Sequence, residues 1–294
     1  MLVSVIIVNY NTFKVTCDCI ERVISHTKQV PYEIIVVDNA SPKDNPDLFL
    51  TRFPSIKLIK SSENGGFAKG NNLGMASAKG DIILLLNSDT LLTEDSISIA
   101  AAYLQQHTDI GALTVRLTYP DGKLQHTARK FRSVRNEVLD LMRPLLMLMP
   151  YKKRSQLMLN QYFNGDYNTY ADWVSGAFMM FQKTTLDKMD GKQLDERFFM
   201  YGEDQLWCYQ FSQLGYRNFY LADTTVIHIH SASTEPSKQM KLVEKMTQLE
   251  LDIMEYRKGR STYYYVFKLI YTAKEMARYY IKVAAMKLFN HKIR

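Results

Sequence analysis

Three short apolar runs, each stopping abruptly at a polar tip, constrain this 294-residue chain more than any other feature. Val3 to Val8 ends at Asn9-Tyr10-Asn11, Ile34 to Val37 (of the strand Glu33 to Val37) ends at Asp38-Asn39, and Ile82 to Leu86 ends at Asn87-Ser88-Asp89. Apolar runs of this length suit strands buried on both faces of a parallel sheet. Between them, Phe13 to Ser25 has helical spacing, Pro42 to Arg52 reads as a short helix or loop, Ile56 to Ile59 as a strand and Gly70 to Ala78 as a helix. Strands alternating with helices predict an α/β fold: a Rossmann-like, mostly parallel central sheet flanked by helices. The polar tips then gather along one edge, at the carboxyl ends of the strands, where open α/β sheets bind their ligands.

After Ile110 the pattern loosens. Ala112 to Leu117 and Val174 to Phe181 read as strands. Between them lies an apolar-basic stretch, Val138 to Arg154, in which Pro144 and Pro150 bracket five apolar residues. A core or lid helix and a surface helix touching lipid are both open readings of it. Beyond Pro236 the spacing predicts helix to the end. There Lys274, Arg278 and Lys282 recur every fourth residue, with Lys268 and Glu275 on the same side, while Tyr265, Val266, Leu269 and Ile270 begin an apolar side, a pattern that Lys287 breaks. A basic amphipathic helix rich in tyrosine has the composition of an interfacial anchor. The other reading is a helix packed on the domain with a solvated basic face.

Charge separates the body from the tail. Residues 257–294 hold ten Lys or Arg against one acid, Glu275, so they carry +9 of an overall +7 and the remainder carries −2. Basicity confined to a tail argues against a nucleic-acid clamp and for a segment that meets an anionic surface. Three cysteines, Cys17, Cys19 and Cys208, form no disulfide framework and fit a reducing compartment. The N-terminus reads as a first strand and not as a signal peptide, and no apolar stretch reaches the length of a spanning helix.

Five local patterns carry chemistry. Asp89, at a strand end, is placed to hold a metal-bound diphosphate, or else caps the helix starting near Thr93-Glu94-Asp95. In Glu63-Asn64-Gly65-Gly66-Phe67-Ala68-Lys69-Gly70-Asn71-Asn72, glycines allow close backbone approach to a ligand, while helix-start amides and Lys69 offer positive potential to phosphate. Asp38 can accept from a nucleobase imide N–H or a ribose hydroxyl, or serve as a turn residue. Glu203-Asp204 can place one carboxylate in a cleft as general base while the other caps the helix Gln205–Gln213. On Thr225 to His230, His228 and His230 share a strand face and one site, or are structural.

Taken in order, Val3 to Asn11, Ile34 to Ser41, Asn64-Gly65-Gly66-Phe67, Asn87-Ser88-Asp89, Trp173-Val174-Ser175-Gly176-Ala177 and Gly202-Glu203-Asp204 resemble family 2 glycosyltransferases of the GT-A fold, nearest to bacterial rhamnosyltransferase-like members. The resemblance covers about residues 1 to 235. It implies a domain over 1–235, with a nucleotide-binding half (1–110) and an acceptor-binding half (111–235), followed by a membrane-associating helical extension over 236–294. It implies that Asp38, with Asn9, Tyr10 and Asn39 beside it, binds the base of a nucleoside-diphosphate sugar. Asn64, Gly65, Gly66, Lys69, Asn71, Asn87 and Ser88 line the donor site, and Asp89 and His228 hold Mg²⁺ or Mn²⁺. Asp204 is the catalytic base, Glu203 and Gly176 bind substrate, and Trp173 forms part of the acceptor wall. Position 87 departs from the family's Asp-x-Asp motif: it is Asn, so the motif carries one carboxylate.

The expectation is therefore an inverting glycosyltransferase taking sugar from dTDP-rhamnose or a UDP-sugar. Its acceptor is a saccharide linked to polyprenyl diphosphate, in bacterial surface polysaccharide or cell-wall assembly. It works in the cytoplasm, peripherally on the inner membrane's anionic face, as a possible homodimer and without nucleic acid. Two rivals are a nucleotidyltransferase, disfavoured because a Gly-rich loop does not follow strand one, and a non-catalytic sugar-nucleotide-binding scaffold, disfavoured by intact Asp38, Asp89, Asp204 and His228.

Overall fold

The computed structural model describes residues 1–229 and 239–289. Expectations that fall on His230, Ser231 and the last five residues lie outside the described residues. In chain order the elements are β1 (Val3–Asn9), α1 (Phe13–His26), β2 (Tyr32–Asp38), α2 (Leu48–Arg52), β3 (Lys57–Lys60), α3 (Gly66–Met75), β4 (Ile82–Asn87), β5 (Thr90–Leu92), α4 (Ser96–Gln106), β6 (Ile110–Thr118), β7 (Leu124–Gln125), β8 (Ala128–Arg129), α5 (Val134–Leu141), α6 (Arg143–Leu146), α7 (Tyr151–Leu157), α8 (Leu159–Tyr162), β9 (Thr169–Ala171), β10 (Trp173–Val174), β11 (Phe178–Gln182), α9 (Lys183–Leu186), α10 (Glu203–Gln213), β12 (Arg217–His228), α11 (Gln239–Lys258) and α12 (Thr262–Phe289). They divide into two compact units, Met1–Lys130 with 155–229 and Phe131–Arg154 with 239–289.

The first unit is built on a ten-stranded sheet whose main path runs β3-β2-β1-β4-β11-β6-β12-β5, with β7 beside β6 and β9 beside β12. β1 pairs in parallel with both β2 and β4, so the apolar cores of all three strands are wholly enclosed. Their carboxyl tips align: Asn9 sits opposite Asp38, and Val8 opposite Asn87. Apolar side chains from both faces feed separate clusters, one around Ile7, Ile20 and Leu84, the other around Ile6, Leu85 and Trp207. Burial of that kind contributes roughly 25 cal/mol per Å² of apolar surface, which holds the tips in register.

Three sequence boundaries move, each for a physical reason. α3 begins at Gly66, four residues before the expected Gly70, because Asn64 Oδ1 accepts from Gly66 N at 3.1 Å and Gly66 takes φ +83°, a region glycine enters without strain. The apolar run Val174 to Phe181 is two strands, not one. Ser175-Gly176-Ala177 breaks it because Asn87 N donates to Ala177 O at 2.9 Å and Gly176 N turns to Asp204. α10 starts at Glu203, two residues earlier than expected, with Gly202 at φ +87° as its cap, so both acids lie in its first turn.

In the second unit the stretch 131–154, read from sequence as part of the acceptor half, packs with the C-terminal helices. Glu137 and Asp140, one turn apart on α5, are buried and meet Lys274 and Arg278 of α12. This corrects the expectation for the tail. Lys274 is only 7% exposed and is neutralised inside the unit, whereas Leu269 and Ile281 on the apolar side are 72% and 69% exposed. A solvated basic face is thus excluded at Lys274: two buried carboxylates need cations, and the helix turns its charged side to them. The helical tail is also broken, with Gly259 at φ +61° between α11 and α12. Among the described residues no helix is long and apolar enough to cross a membrane.

Candidate active site

The tips of β1 and β2 form a closed polar cluster. Asn9 Nδ2 donates to Asp38 Oδ1 at 2.8 Å and to Ser41 Oγ at 3.1 Å, and its Oδ1 accepts from the hydroxyls of Thr12 and Thr16. Asp38 Oδ2 accepts from Ser41 N at 3.0 Å. A carboxylate offers about four acceptor positions, so Asp38 keeps capacity for one more donor after these two bonds. Tyr10 stands exposed beside it, and Thr12 reaches across to Ser88 at 3.4 Å, tying the β1 tip to the β4 tip.

Asn39 carries the cluster to the glycine-rich turn. Its Nδ2 donates to Asn64 Oδ1 at 2.8 Å and to Gly66 O at 3.0 Å, and its Oδ1 accepts from Gly65 N. Asn71 is buried and donates to Phe67 O, with its Oδ1 left without a partner. Lys69 lies further out than expected. Its ammonium pairs with Glu63 at 2.5 Å on the exposed flank, so the turn's offer to an anion rests on backbone amides.

The same turn is stitched to the segment that leads into α10. Phe67 N donates to Phe199 O at 3.1 Å, and a Cβ on Gly66 would lie 2.2 Å from that oxygen. Asn72 exchanges two bonds with Leu194, donating to its carbonyl at 2.8 Å and accepting from its amide at 3.0 Å. The Phe67 ring stacks on Trp207 of α10.

α10 delivers Asp204. Its Oδ2 accepts from Gly176 N at 3.1 Å and its Oδ1 from Gln205 N at 2.8 Å. Burial pushes its carboxyl above the ordinary value. The two amides and the Arg129 charge pull the other way without cancelling that push. A carboxylate raised in this way gains proton affinity, which suits a general base. Glu203 is buried behind it. Trp173 of β10 pairs with Arg129 of β8, and the Arg129 guanidinium lies over the indole at 5.0 Å. Because Ala177 bonds to the β4 tip and Gly176 bonds to Asp204, the carboxyl groups at 89 and 204 share one edge of the sheet.

Asp89 does not cap α4. That role belongs to Asp95, whose side chain accepts from Ser98 N. Antiparallel pairing of β5 with β12 sets His228 opposite Thr90, and His228 Nε2 comes within 3.2 Å of Asp89 Oδ1 and 3.3 Å of Asn87 Nδ2. Gln125 decides the imidazole's tautomer. Its Nε2 donates to the His228 carbonyl at 2.6 Å, an atom that only accepts, so its Oε1 faces His228 Nδ1 at 2.7 Å and Nδ1 carries the proton. Nε2 faces both Asn87 Nδ2 and the Asp89 carboxylate. An oxygen–nitrogen pair completed by diphosphate oxygens fits Mg²⁺ or, better with imidazole, Mn²⁺. Among the described residues no three His, Cys, Asp or Glu side chains gather into a complete protein cage, so substrate oxygens would have to finish the coordination.

Sequence reasoning did not single out Gln125, Arg129, Asn72, Ser41 or Phe199. Asn72 ends the quoted glycine-rich segment and was within reach. Gln125 and Arg129 sit on two-residue strands that leave no periodic trace.

Residues 4–180 match the family model described as Glycosyl transferase family 2. The chain is 31% identical over 108 residues to the glycosyltransferase GlyG of Streptococcus pneumoniae, a match covering 36% of each chain. It thus spans about a third of that relative's length. It is 24% identical over 245 residues to the N-acetylglucosaminyl-diphospho-decaprenol L-rhamnosyltransferase of Mycobacterium tuberculosis, covering 78% of this chain and 77% of the relative. Among solved structures, the mannosyltransferase PcManGT from Pyrobaculum calidifontis, in complex with GDP-Man and Mn²⁺, superposes with a TM-score of 0.60 at 15% identity, over 99% of this chain and 76% of that one. The fold is GT-A.

Proposed function

We propose, from the premise that this chain belongs to glycosyl transferase family 2, that it moves a sugar from a nucleoside-diphosphate donor to a saccharide hydroxyl with inversion. The observation that carries the reading is the meeting of Asp38, the Asn64-Gly65-Gly66 turn, Asp89 with His228, and Asp204 along one sheet edge. Asp38 takes the base, the turn's amides take the diphosphate, and Trp173 with Arg129 walls the acceptor. Asp204 removes the acceptor hydroxyl's proton as that oxygen bonds to the anomeric carbon. The bond from that carbon to the phosphate oxygen breaks, and the nucleoside diphosphate departs. Asp89 and His228 would hold Mg²⁺ or Mn²⁺, whose charge stabilises the leaving phosphate when bound.

Likeness to the mycobacterial rhamnosyltransferase supports rhamnose as the transferred sugar and a polyprenyl-diphosphate-linked saccharide as acceptor; dTDP as the carrier and the cytoplasmic face of a membrane belong to the proposal. The test is an incubation with dTDP-rhamnose or UDP-sugars and a short lipid-linked acceptor, followed by product analysis. Nucleoside diphosphate and an inverted anomeric centre are expected. Release of pyrophosphate, or retention at that centre, overturns the reading.

A further inference from the structure

We propose that the second unit docks on an anionic bilayer through the uncharged Tyr265–Ala284 stripe of α12, together with the apolar ridge of α5 and α6. In this arrangement Lys274 serves the fold and not the lipid. The inference deepens the lipid-linked acceptor reading and rests on it for its purpose.

α12 packs with an aromatic face and Lys274 inward. Tyr264, Phe267, Tyr271 and Lys274 are buried, and Lys274 bonds to both Glu137 and Asp140. On the opposite half Tyr265, Leu269, Ala273, Ala277, Tyr280 and Ala284 recur at three- and four-residue spacing, exposed and without a charge among them. From Tyr265 to Ala284 that stripe runs about 28 Å at 1.5 Å per residue. Soluble surfaces scatter single apolar residues, whereas a contiguous stripe marks an interaction. The same unit exposes a second apolar ridge, with Leu141, Leu145, Met147 and Leu148 all turned outward and Leu148 reaching 82%.

Charge decides the occupant. Arg135, Lys152, Lys153, Lys258 and Lys268 are exposed, while of this unit's acids only Glu244 is exposed among the described residues. An apolar stripe on a unit whose exposed charges are mostly cations complements an anionic bilayer, in which aliphatic side chains enter the acyl boundary and lysines reach the headgroups. A second copy would bring like charges together around the stripe. Tyr265 and Tyr280 near its two ends suit the membrane interface, where an amphipathic ring has one dry and one wet side.

The test is flotation of the full chain with phosphatidylglycerol–phosphatidylethanolamine vesicles, beside phosphatidylcholine vesicles. The wild type is expected to float with the anionic vesicles. Leu269→Glu with Ile281→Glu should lose roughly tenfold or more in partitioning, as two inserted aliphatic side chains become charges. Leu148→Glu should weaken binding separately. Because the native cysteines are buried, Leu269→Cys can be labelled selectively with a polarity-sensitive dye, whose emission should shift to the blue on anionic vesicles. Undiminished flotation of the double variant, no shift from the dye, or a vesicle-free dimer that the double variant dissolves overturns the proposal. Transfer to a detergent-dispersed acceptor separates the two failures: if it persists while vesicles are not bound, the docking surface is wrong and the enzymatic reading stands.

Discussion

The amide of Gly176 donates to Oδ2 of Asp204 at 3.1 Å, and the residue after that glycine holds the tip of β4. One tripeptide therefore ties Asp204 to the tip of β4. Asp204→Asn keeps an acceptor for one of the two amides it holds and removes the carboxylate proposed as base. Turnover should fall about 10²–10⁴-fold with donor affinity unchanged, measured by kinetics and calorimetry. Burial raises the Asp204 pKa above its ordinary 3.8, so the acid limb of kcat/KM should lie above that value. The same shift sets a stability trend. The protonated form is tolerated, and the penalty on the ionised form grows as pH rises from the unfolded toward the folded pKa. Asp204→Asn should thus raise the Tm near neutral pH and change it little in acid. An unchanged turnover would remove Asp204 from its role.

Gln125 orients His228 through two bonds, one to the ring and one to the carbonyl. Gln125→Leu should loosen the ring and release its tautomer. Partners of this kind are typically worth 10–100-fold in metal affinity, so Mn²⁺ should be needed at about 10–100-fold higher concentration to support donor binding. His228→Ala should do the same, and the double variant little more, because the two side chains act as one unit. A Mn²⁺ titration of donor affinity that ignores Gln125→Leu would count against the metal assignment.

Gly66 and Gly122 make a controlled comparison. Both have positive φ, +83° and +80°, but a Cβ on Gly122 meets nothing within 4 Å, whereas on Gly66 it runs into Phe199 O. Gly122→Ala should cost about 1–2 kcal/mol for its backbone alone. Gly66→Ala should cost more and also reduce both donor affinity and turnover, because relieving the clash moves the turn against the segment entering α10. Denaturant unfolding of the two variants isolates the contribution of the close approach. Equal costs would mean that the turn and the segment are not held together.

The parallel strands and their polar tips were legible because a strand buried on both faces leaves an unbroken apolar run that its first polar residue ends. The break at Ser175-Gly176-Ala177 was not. Apolar residues flank it on both sides, and its cause is a bond to Asp204, 28 residues away. The α12 charges were legible as a face, but helical periodicity does not say which face is inward. That depended on Glu137 and Asp140, more than 130 residues earlier, in a stretch whose leucines and methionines drew attention away from its acids.

That buried ion cluster predicts how the second unit responds to mutation and acid. Lys274 meets Glu137 and Asp140, Arg278 and Arg143 also meet Asp140, and Arg132 meets Glu137. Removing Lys274 leaves two carboxylates short of a buried partner, a loss typically worth about 3–5 kcal/mol. Lys274→Met should therefore unfold far more readily than Lys268→Met, whose side chain is exposed. Burial tends to raise the Asp140 pKa, but Lys274 and Arg143 outweigh it and hold the carboxyl at about 2. A depressed carboxylate stabilises the fold above its unfolded pKa of 3.8 and loses that contribution as pH falls through the folded value. Helical signal from this unit should therefore decline between about pH 4 and pH 2, and Asp140→Asn should remove that part of the acid dependence. Hydrogen exchange of α12 amides across this range reads the effect locally. Protection that is independent of pH would mean that Lys274 and Asp140 are not coupled in solution.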